Sequence, residues 1–191
     1  DAPLDMRMDK RAPFTAQDVV NGYAKRELER ILKDYGEEKF AAKIAENIVA
    51  QRAVRPLKTC GELVEIIERS IPAKFRYEGG HPAKRTFQAI RIEVNGELDG
   101  LGDAVIALTR LLKSGGRIAV LTFHSLEDRA VKSAFKELET DCVCDKSLPV
   151  CVCGRKREIK LITKHPVTAG DEELRENSRS KSAKLRIAEK L

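Results

Sequence analysis

One short apolar segment restricts the fold of this chain more than any other feature. Residues 117–123 (RIAVLTF) form a continuous β-favouring run between a turn at 113–116 (KSGG) and a capping-box pattern at Ser125–Asp128. A run without polar alternation is typical of a strand buried on both faces. Because helical patterns precede the turn and follow the run, the sequence predicts the βα alternation of an α/β domain with a parallel sheet.

Two further candidate strands, at 159–163 and 184–188, bring the predicted number of strands to three. A doubly wound parallel sheet has two halves that together need about six strands. We therefore expect half of the α/β domain to lie before Asp1, and the chain to be a fragment of a longer protein.

The first part of the chain predicts helices alone. Four helical patterns follow one another between Pro13 and Ile71, and two of them open with capping boxes. They predict an all-α unit. A basic, aromatic and glycine-rich loop at 74–80 separates this unit from a further helical pattern that starts at His81.

The charge balance favours polyanionic partners. The chain has 36 Lys and Arg against 30 Asp and Glu, a net charge of +6, and residues 154–191 hold eleven of the basic residues against six acidic ones. No window contains the roughly 20 apolar residues needed to cross a bilayer, and no export signal is present. We expect a cytoplasmic protein with reduced thiols and no membrane contact.

Four of the five cysteines lie within twelve residues: Cys142, Cys144, Cys151 and Cys153. Four converging thiolates are the ligand set of a structural zinc ion. The usual C-x-x-C spacing is absent, however, and residues two apart on an extended strand point to opposite sides, so each C-x-C pair needs a local turn. Zinc, a reduced loop and an occasional disulfide all stay open, whereas Cys60 is predicted to be a packed thiol.

His124 directly follows the predicted strand at 117–123, at the carboxyl end where open α/β sheets collect their ligands. This position makes it the best site candidate in this region, with a purely local structural role as the alternative. Ser125 and Asp128 are predicted to cap the following helix.

Basic residues suggest contact with a nucleic-acid backbone. A helix beginning near Pro82 would place Lys84, Gln88 and Arg91 on one face, beside the basic loop at 74–80. The tail segment 178–186 repeats the pattern with small residues between its cations. The alternatives are a solvated helix face and a soluble tail.

Four segments carry a family resemblance: 3–9 (PLDMRMD), 81–92 (HPAKRTFQAIRI), 123–129 (FHSLEDR) and 180–186 (SKSAKLR). Together, and in this order, they resemble the ribosomal RNA small subunit methyltransferase H family, and the resemblance runs over the whole chain. It implies transfer of a methyl group from S-adenosylmethionine to N4 of a cytosine in 16S ribosomal RNA of the small ribosomal subunit.

The resemblance also implies an architecture. The expected fold class is α/β, the C-terminal part of a class I (Rossmann-like) methyltransferase sheet with an all-α inserted domain. Residues 1–12 are expected to belong to the catalytic domain and 13–80 to a helical insertion for substrate recognition. Residues 81–191 are expected to form the C-terminal part of the methyltransferase domain, with a cysteine loop at 142–153 that only part of the family shares.

In that family the glycine-rich cofactor loop, the acidic residue for the ribose and the strand-four motif all precede the segment equivalent to 3–9. No cofactor-binding residue is therefore assigned to this chain, and the chain alone is not expected to be active. Asp5 and His124 are the expected contributors to the base pocket, and the expected phosphate contacts are Lys84, Arg85, Arg91, Lys184 and Arg186. The competing hypothesis is a non-catalytic RNA-binding or ribosome-assembly module.

Overall fold

In a computed structural model of the chain, the described residues are 1–76, 80–145 and 150–191. Parts of the predicted basic loop and of the cysteine loop, at 77–79 and 146–149, lie outside them. The chain divides into two compact units, Asp1–Glu97 and Leu98–Leu191. Within the described residues, no helix is both long enough and apolar enough to cross a membrane.

The first unit is built from helices, as the sequence predicts. Its elements are α1 (Ala16–Gly22), α2 (Lys25–Asp34), α3 (Ala41–Val54), α4 (Cys60–Ser70), a short 3-10 helix (Ala73–Phe75) and α5 (Lys84–Asn95). α2 packs between α3 and α5. The side chains spaced three and four residues apart on these helices form one apolar core, which includes the fully buried Leu28, Ile31, Leu32, Ile44, Ile48, Leu63, Ile67 and Ile90.

The compact units divide at a different residue from the predicted domains. α5 packs on α1 and α2 and so belongs to the first unit, whereas the predicted C-terminal part begins at residue 81. This division describes packing alone. The catalytic role expected for 1–12 and 81–191, and the substrate-recognition role expected for 13–80, stay predictions.

The second unit places helices beside a small sheet. Its elements are α6 (Leu101–Arg110), β1 (Arg117–Thr122), α7 (Ser125–Glu139), β2 (Ile159–Leu161), β3 (Val167–Thr168), α8 (Asp171–Glu176), a 3-10 helix (Ser178–Ser182) and β4 (Lys184–Lys190). β4 lies between β1 and β2. α6 packs on α7, and α7 packs on β1, β2 and β4 around a core that includes Val105, Val131, Phe135, Leu138, Ile159 and Ala188.

The prediction of a parallel sheet is wrong for the described residues, because β4 pairs antiparallel with β1, β2 and β3. β1 and β2 run parallel to each other, since both are antiparallel to β4, so the last strand of the chain separates the two strands that α7 connects. Local periodicity cannot reveal such an insertion, because it carries no information about strand order.

The prediction that β1 is buried on both faces is also wrong for the residues described. From Arg117 to Leu121 its side chains alternate between exposed and partly buried, with Leu121 54% exposed, and the last residue, Thr122, is buried. The reason is that α7 packs on one face of the strand. An apolar run shows that a strand is suited to packing on both faces. It does not show that a helix or sheet packs on each of them.

Candidate functional site

The junction of β1 and α7 contains His124, the residue that the sequence singles out. Its Nδ1 accepts a hydrogen bond from the Glu127 amide at 3.3 Å, and Glu127 Oε2 accepts the amides of Phe123 at 2.8 Å and His124 at 3.1 Å. This is a reciprocal capping box with His124 as the N-cap. The sequence prediction that Ser125 and Asp128 cap the helix is therefore wrong by one residue, because an imidazole nitrogen takes the acceptor role usually held by a hydroxyl.

Asp128 does not cap the helix and instead makes a buried ion pair. Its Oδ1 accepts from Arg186 Nε at 2.6 Å and its Oδ2 from a terminal guanidinium nitrogen at 3.1 Å, while Lys184 Nζ lies 3.6 Å from Oδ2. Hydrogen bonding from Arg186, supported by the charge of Lys184, lowers the pKa of Asp128. The pair ties α7 to β4 in the second unit.

This geometry corrects one predicted phosphate contact. Arg186 is only 7% exposed, and two of its guanidinium nitrogens donate to Asp128. A buried, paired guanidinium is unsuited to bind an RNA backbone. Arg186 is therefore left out of the phosphate contacts proposed below. The sequence does hold a signal for the pair: Arg186 shares the inward face of β4 with the buried Ala188, and an inward-facing charge requires a partner.

The N-terminal segment folds into a tight loop around Asp5. Its carboxylate accepts from Arg7 Nε at 2.7 Å and from Lys10 Nζ at 2.9 Å. Hydrogen bonds from Arg7 and then Lys10 hold the pKa of Asp5 well below its usual range. Asp5 is therefore a stable anion and a weak proton acceptor, although it can still accept a hydrogen bond.

Two features of this loop escaped the sequence prediction. The Asn95 side chain, at the end of α5, donates to the Met6 carbonyl at 2.9 Å and accepts from the Met8 amide at 2.7 Å. Met6 itself has φ +59°, a left-handed conformation that is uncommon for a residue with a side chain. Such backbone strain concentrates at functional sites and supports a role for segment 3–9 beyond packing.

On the predicted basic face of α5, some side chains are open to solvent and others are paired within the protein. Lys84 and Arg85 are exposed, although one Arg85 guanidinium nitrogen donates to the Glu37 carbonyl at 3.1 Å. Arg91 makes a two-point contact with Glu97, at 2.7 and 2.9 Å. Gln88, which the sequence places on the same face, donates to the Tyr35 carbonyl. Lys84 and Arg85 are the members of this face with the greatest access to a polyanion.

In the cysteine loop, both C-x-C pairs bring their sulfurs to one place. The sulfur atoms of Cys142, Cys144, Cys151 and Cys153 all lie within 4.8 Å of one another, and none forms a disulfide. A cluster of this kind could bind a metal. Cys60 lies apart from them and packs against the core of the first unit, as predicted.

Substitution of His124 separates its capping role from any chemical role. Alanine is expected to lower the free energy of unfolding by about 0.5–2 kcal/mol, whereas asparagine, a favoured N-cap, should restore most of that loss. Urea denaturation followed by circular dichroism measures both. If asparagine is as damaging as alanine, the capping role is refuted. In the longer protein, a stable His124→Asn variant with lost methyl transfer would place the imidazole in the chemistry.

Comparison with known proteins gives a family match along the whole chain. The model of the MraW methylase family matches residues 1–191. Relatives named ribosomal RNA small subunit methyltransferase H include one from Clostridioides difficile, 54% identical over 191 residues, and one from Clostridium botulinum (strain Loch Maree), 58% identical over 191 residues. Both alignments cover all of this chain but only 61% and 62% of the relative, so the chain spans about three fifths of their length.

The match confirms the predicted fold class. Helices beside a small antiparallel sheet are consistent with part of a Rossmann-like methyltransferase, in which β1 and α7 form one βα unit. Since the family model extends over every residue of the sequence, this chain belongs to the MraW methylase family.

Proposed function

We propose that this chain is part of a cytoplasmic, S-adenosylmethionine-dependent enzyme that methylates N4 of a cytosine in 16S ribosomal RNA of the small subunit. The observation that carries the proposal is the match along the whole chain to relatives named for methylation of small-subunit ribosomal RNA. The cytosine N4 target rests on the resemblance of segments 3–9, 81–92, 123–129 and 180–186.

The sheet of the second unit supports an incomplete methyltransferase fold. β1 stands at one end of the strand order β1-β4-β2. Near the carboxyl end of this strand, Leu121 and Phe123 are 54% and 53% exposed. An outer strand with exposed large apolar side chains is expected where further structure of the same domain would pack. We propose that preceding residues of the longer protein pair with β1.

S-adenosylmethionine is the methyl donor that the family implies, and two backbone amides that could meet it at the end of β1 already have an acceptor. At the carboxyl end of β1, the amides of Phe123 and His124 both donate to Glu127. Those donors are therefore unavailable to a ribose or an adenine. We assign no donor-binding step to this chain and expect the donor pocket in the preceding part of the protein.

The residues of this chain can still act on the acceptor base. The cytosine amine is a poor nucleophile because its lone pair is delocalised into the ring, so the enzyme must orient the amine and accept its hydrogens. Asp5, an anion even in mild acid, is suited to accept a hydrogen bond from the amine rather than to take its proton. We propose Asp5 and His124 as contributors to the base pocket.

We propose Lys84, Arg85, Arg91 and Lys184 as phosphate contacts. A variant carrying Lys84→Glu and Arg85→Glu should bind small-subunit RNA more weakly, and the slope of log affinity against log salt should fall by about 1–2, because each lost phosphate contact removes about 0.7–0.9. Lys132→Glu with Lys136→Glu, which reverses two exposed charges on α7, is the matched control. An unchanged slope in the first variant would exclude the contact.

Nucleoside analysis tests the proposed reaction. Small subunits lacking the modification are incubated with the longer protein and isotopically labelled S-adenosylmethionine, and the RNA is then digested to nucleosides for mass spectrometry. The proposal predicts labelled N4-methylcytidine. RNA binding without methyl transfer would instead support the RNA-binding or assembly module, and a label on another atom would refute the N4 assignment while leaving the methyltransferase in place.

A further inference from the structure

The sulfur atoms of the cysteine loop have the spacing of ligands around one metal ion. The separations are 3.6 Å for Cys142 and Cys151, 3.8 Å for Cys144 and Cys151, 3.5 Å for Cys151 and Cys153, and 4.0 Å for Cys142 and Cys153. Sulfurs about 2.3 Å from a tetrahedral zinc ion lie about 3.8 Å apart. Bonded sulfurs would be about 2.05 Å apart, so the spacing favours metal ligation over disulfides.

Backbone amides of the loop point at the sulfurs. The Cys144 amide donates to Cys142 Sγ and the Val152 amide to Cys144 Sγ, each at 3.4 Å. Hydrogen bonds around a metal ligand commonly orient it for the metal. Both amides belong to the loop itself, so its backbone is folded around the sulfur cluster.

The chain that leaves the cluster is fastened to the end of α7. Arg155 donates to the Thr140 and Glu137 carbonyls, and Arg157 donates to the Glu139 carbonyl at 3.1 Å. These contacts satisfy carbonyl groups that a helix end leaves without partners. The base of the loop is thereby fixed between α7 and β2.

The described valines of this loop add little apolar burial. Val143, Val150 and Val152 are 62%, 70% and 77% exposed. A segment without its own apolar core needs another cross-link to keep one conformation, and a metal ion supplies one. Convergent sulfurs on an otherwise exposed segment are the arrangement expected if a metal stabilises it.

We propose that Cys142, Cys144, Cys151 and Cys153 bind one Zn²⁺ ion that closes the loop between α7 and β2. A tetrahedral set of four thiolates selects zinc or iron among common metals, and zinc is the redox-inert choice for a structural cross-link. The site is closed, with four protein ligands and no position for substrate, so it stabilises structure and takes no part in methyl transfer. This inference is independent of the proposed function.

Metal analysis of the purified chain tests the site. Protein prepared under reducing conditions with zinc, and then freed of excess metal, should contain about one zinc per chain. Co²⁺ should replace it and give the intense ligand-field and thiolate charge-transfer bands of tetrahedral sulfur coordination. Cys144→Ser and Cys151→Ser should lose most of the bound metal. Cys60→Ser, which changes the fifth thiol, should retain it.

Hydrogen exchange on the unmodified chain keeps the test valid should a serine variant fail to fold. A chelator should speed exchange of the amides at 141–145 and 150–158, and added zinc should reverse the change. Alkylation of all four thiols at the rate of exposed cysteines in the presence of zinc would overturn the proposal. So would a mass corresponding to two disulfides after reducing purification, or iron in place of zinc.

Discussion

Replacing Asp128 with alanine is expected to destabilise the second unit by about 3–5 kcal/mol, because it leaves a buried arginine without its counterion. Arg186 is 7% exposed, and its guanidinium donates to both carboxylate oxygens of Asp128. Removing the carboxylate leaves a charge in the interior without its counterion. The matched control is Arg117→Ala, which breaks an exposed pair with Glu189 on the same sheet and should cost less than about 1 kcal/mol.

Denaturation by urea, followed by hydrogen exchange of the β1 and β4 amides, measures both variants in the unit that they affect. Equal and small effects of the two substitutions would contradict the stabilising role of the buried pair.

The unmodified chain should also lose stability in acid. The folded pKa of Asp128 is lowered, so its contribution is complete above the ordinary carboxyl value of about 3.9 and is lost as the pH falls below it. Asp128→Asn should remove that part of the acid dependence.

Alanine at Gly36 is expected to destabilise the first unit by about 1–3 kcal/mol. A Cβ there would lie 2.6 Å from the Leu32 carbonyl oxygen and 2.8 Å from the Arg85 carbonyl oxygen. Both atoms are backbone, so no side chain can rotate away. The contact with Leu32 would require the turn after α2 to shift, and the contact with Arg85 would require α2 and α5 to separate. The close approach of these two helices requires a residue without a side chain.

Gly22→Ala provides the control for that substitution. Gly22 ends α1, and a Cβ there would meet nothing within 4 Å. The same change of residue should be neutral or stabilise the unit by about 0.4–1 kcal/mol, because alanine restricts the unfolded chain. Circular dichroism during urea denaturation gives both values. A Gly36→Ala variant as stable as the Gly22→Ala variant would show that the helices can separate without cost.

The helices were accessible from the sequence because their signals are local. Apolar spacing and capping boxes determine where α1 to α4 begin, and the structure confirms the boxes at Thr15 and Thr59. β1, β2 and β4 were placed correctly along the chain, whereas β3 and the antiparallel pairing were not predicted. The position of β4 between β1 and β2 depends on contacts about 70 residues apart, such as Arg117 with Glu189.

In the candidate site too, local features could be predicted from the sequence and contacts between distant residues could not. Convergence of four sulfurs could be anticipated because the cysteines lie within twelve residues. The pairing of Asp128 with Arg186 could not, since 58 residues separate them. The role of Asn95 in holding segment 3–9 is equally remote, because Asn95 is 87 residues from Met8. In each case the missing information is a contact between distant parts of the chain.

Methyl transfer with and without the residues that precede this chain in the longer protein tests the central claim most directly. Labelled S-adenosylmethionine and unmodified small ribosomal subunits are supplied to the extended protein and to residues 1–191 alone. The account predicts label in the RNA with the extended protein and none with residues 1–191. Transfer by residues 1–191 alone, or no transfer by an extended protein that folds and binds the RNA, would contradict it.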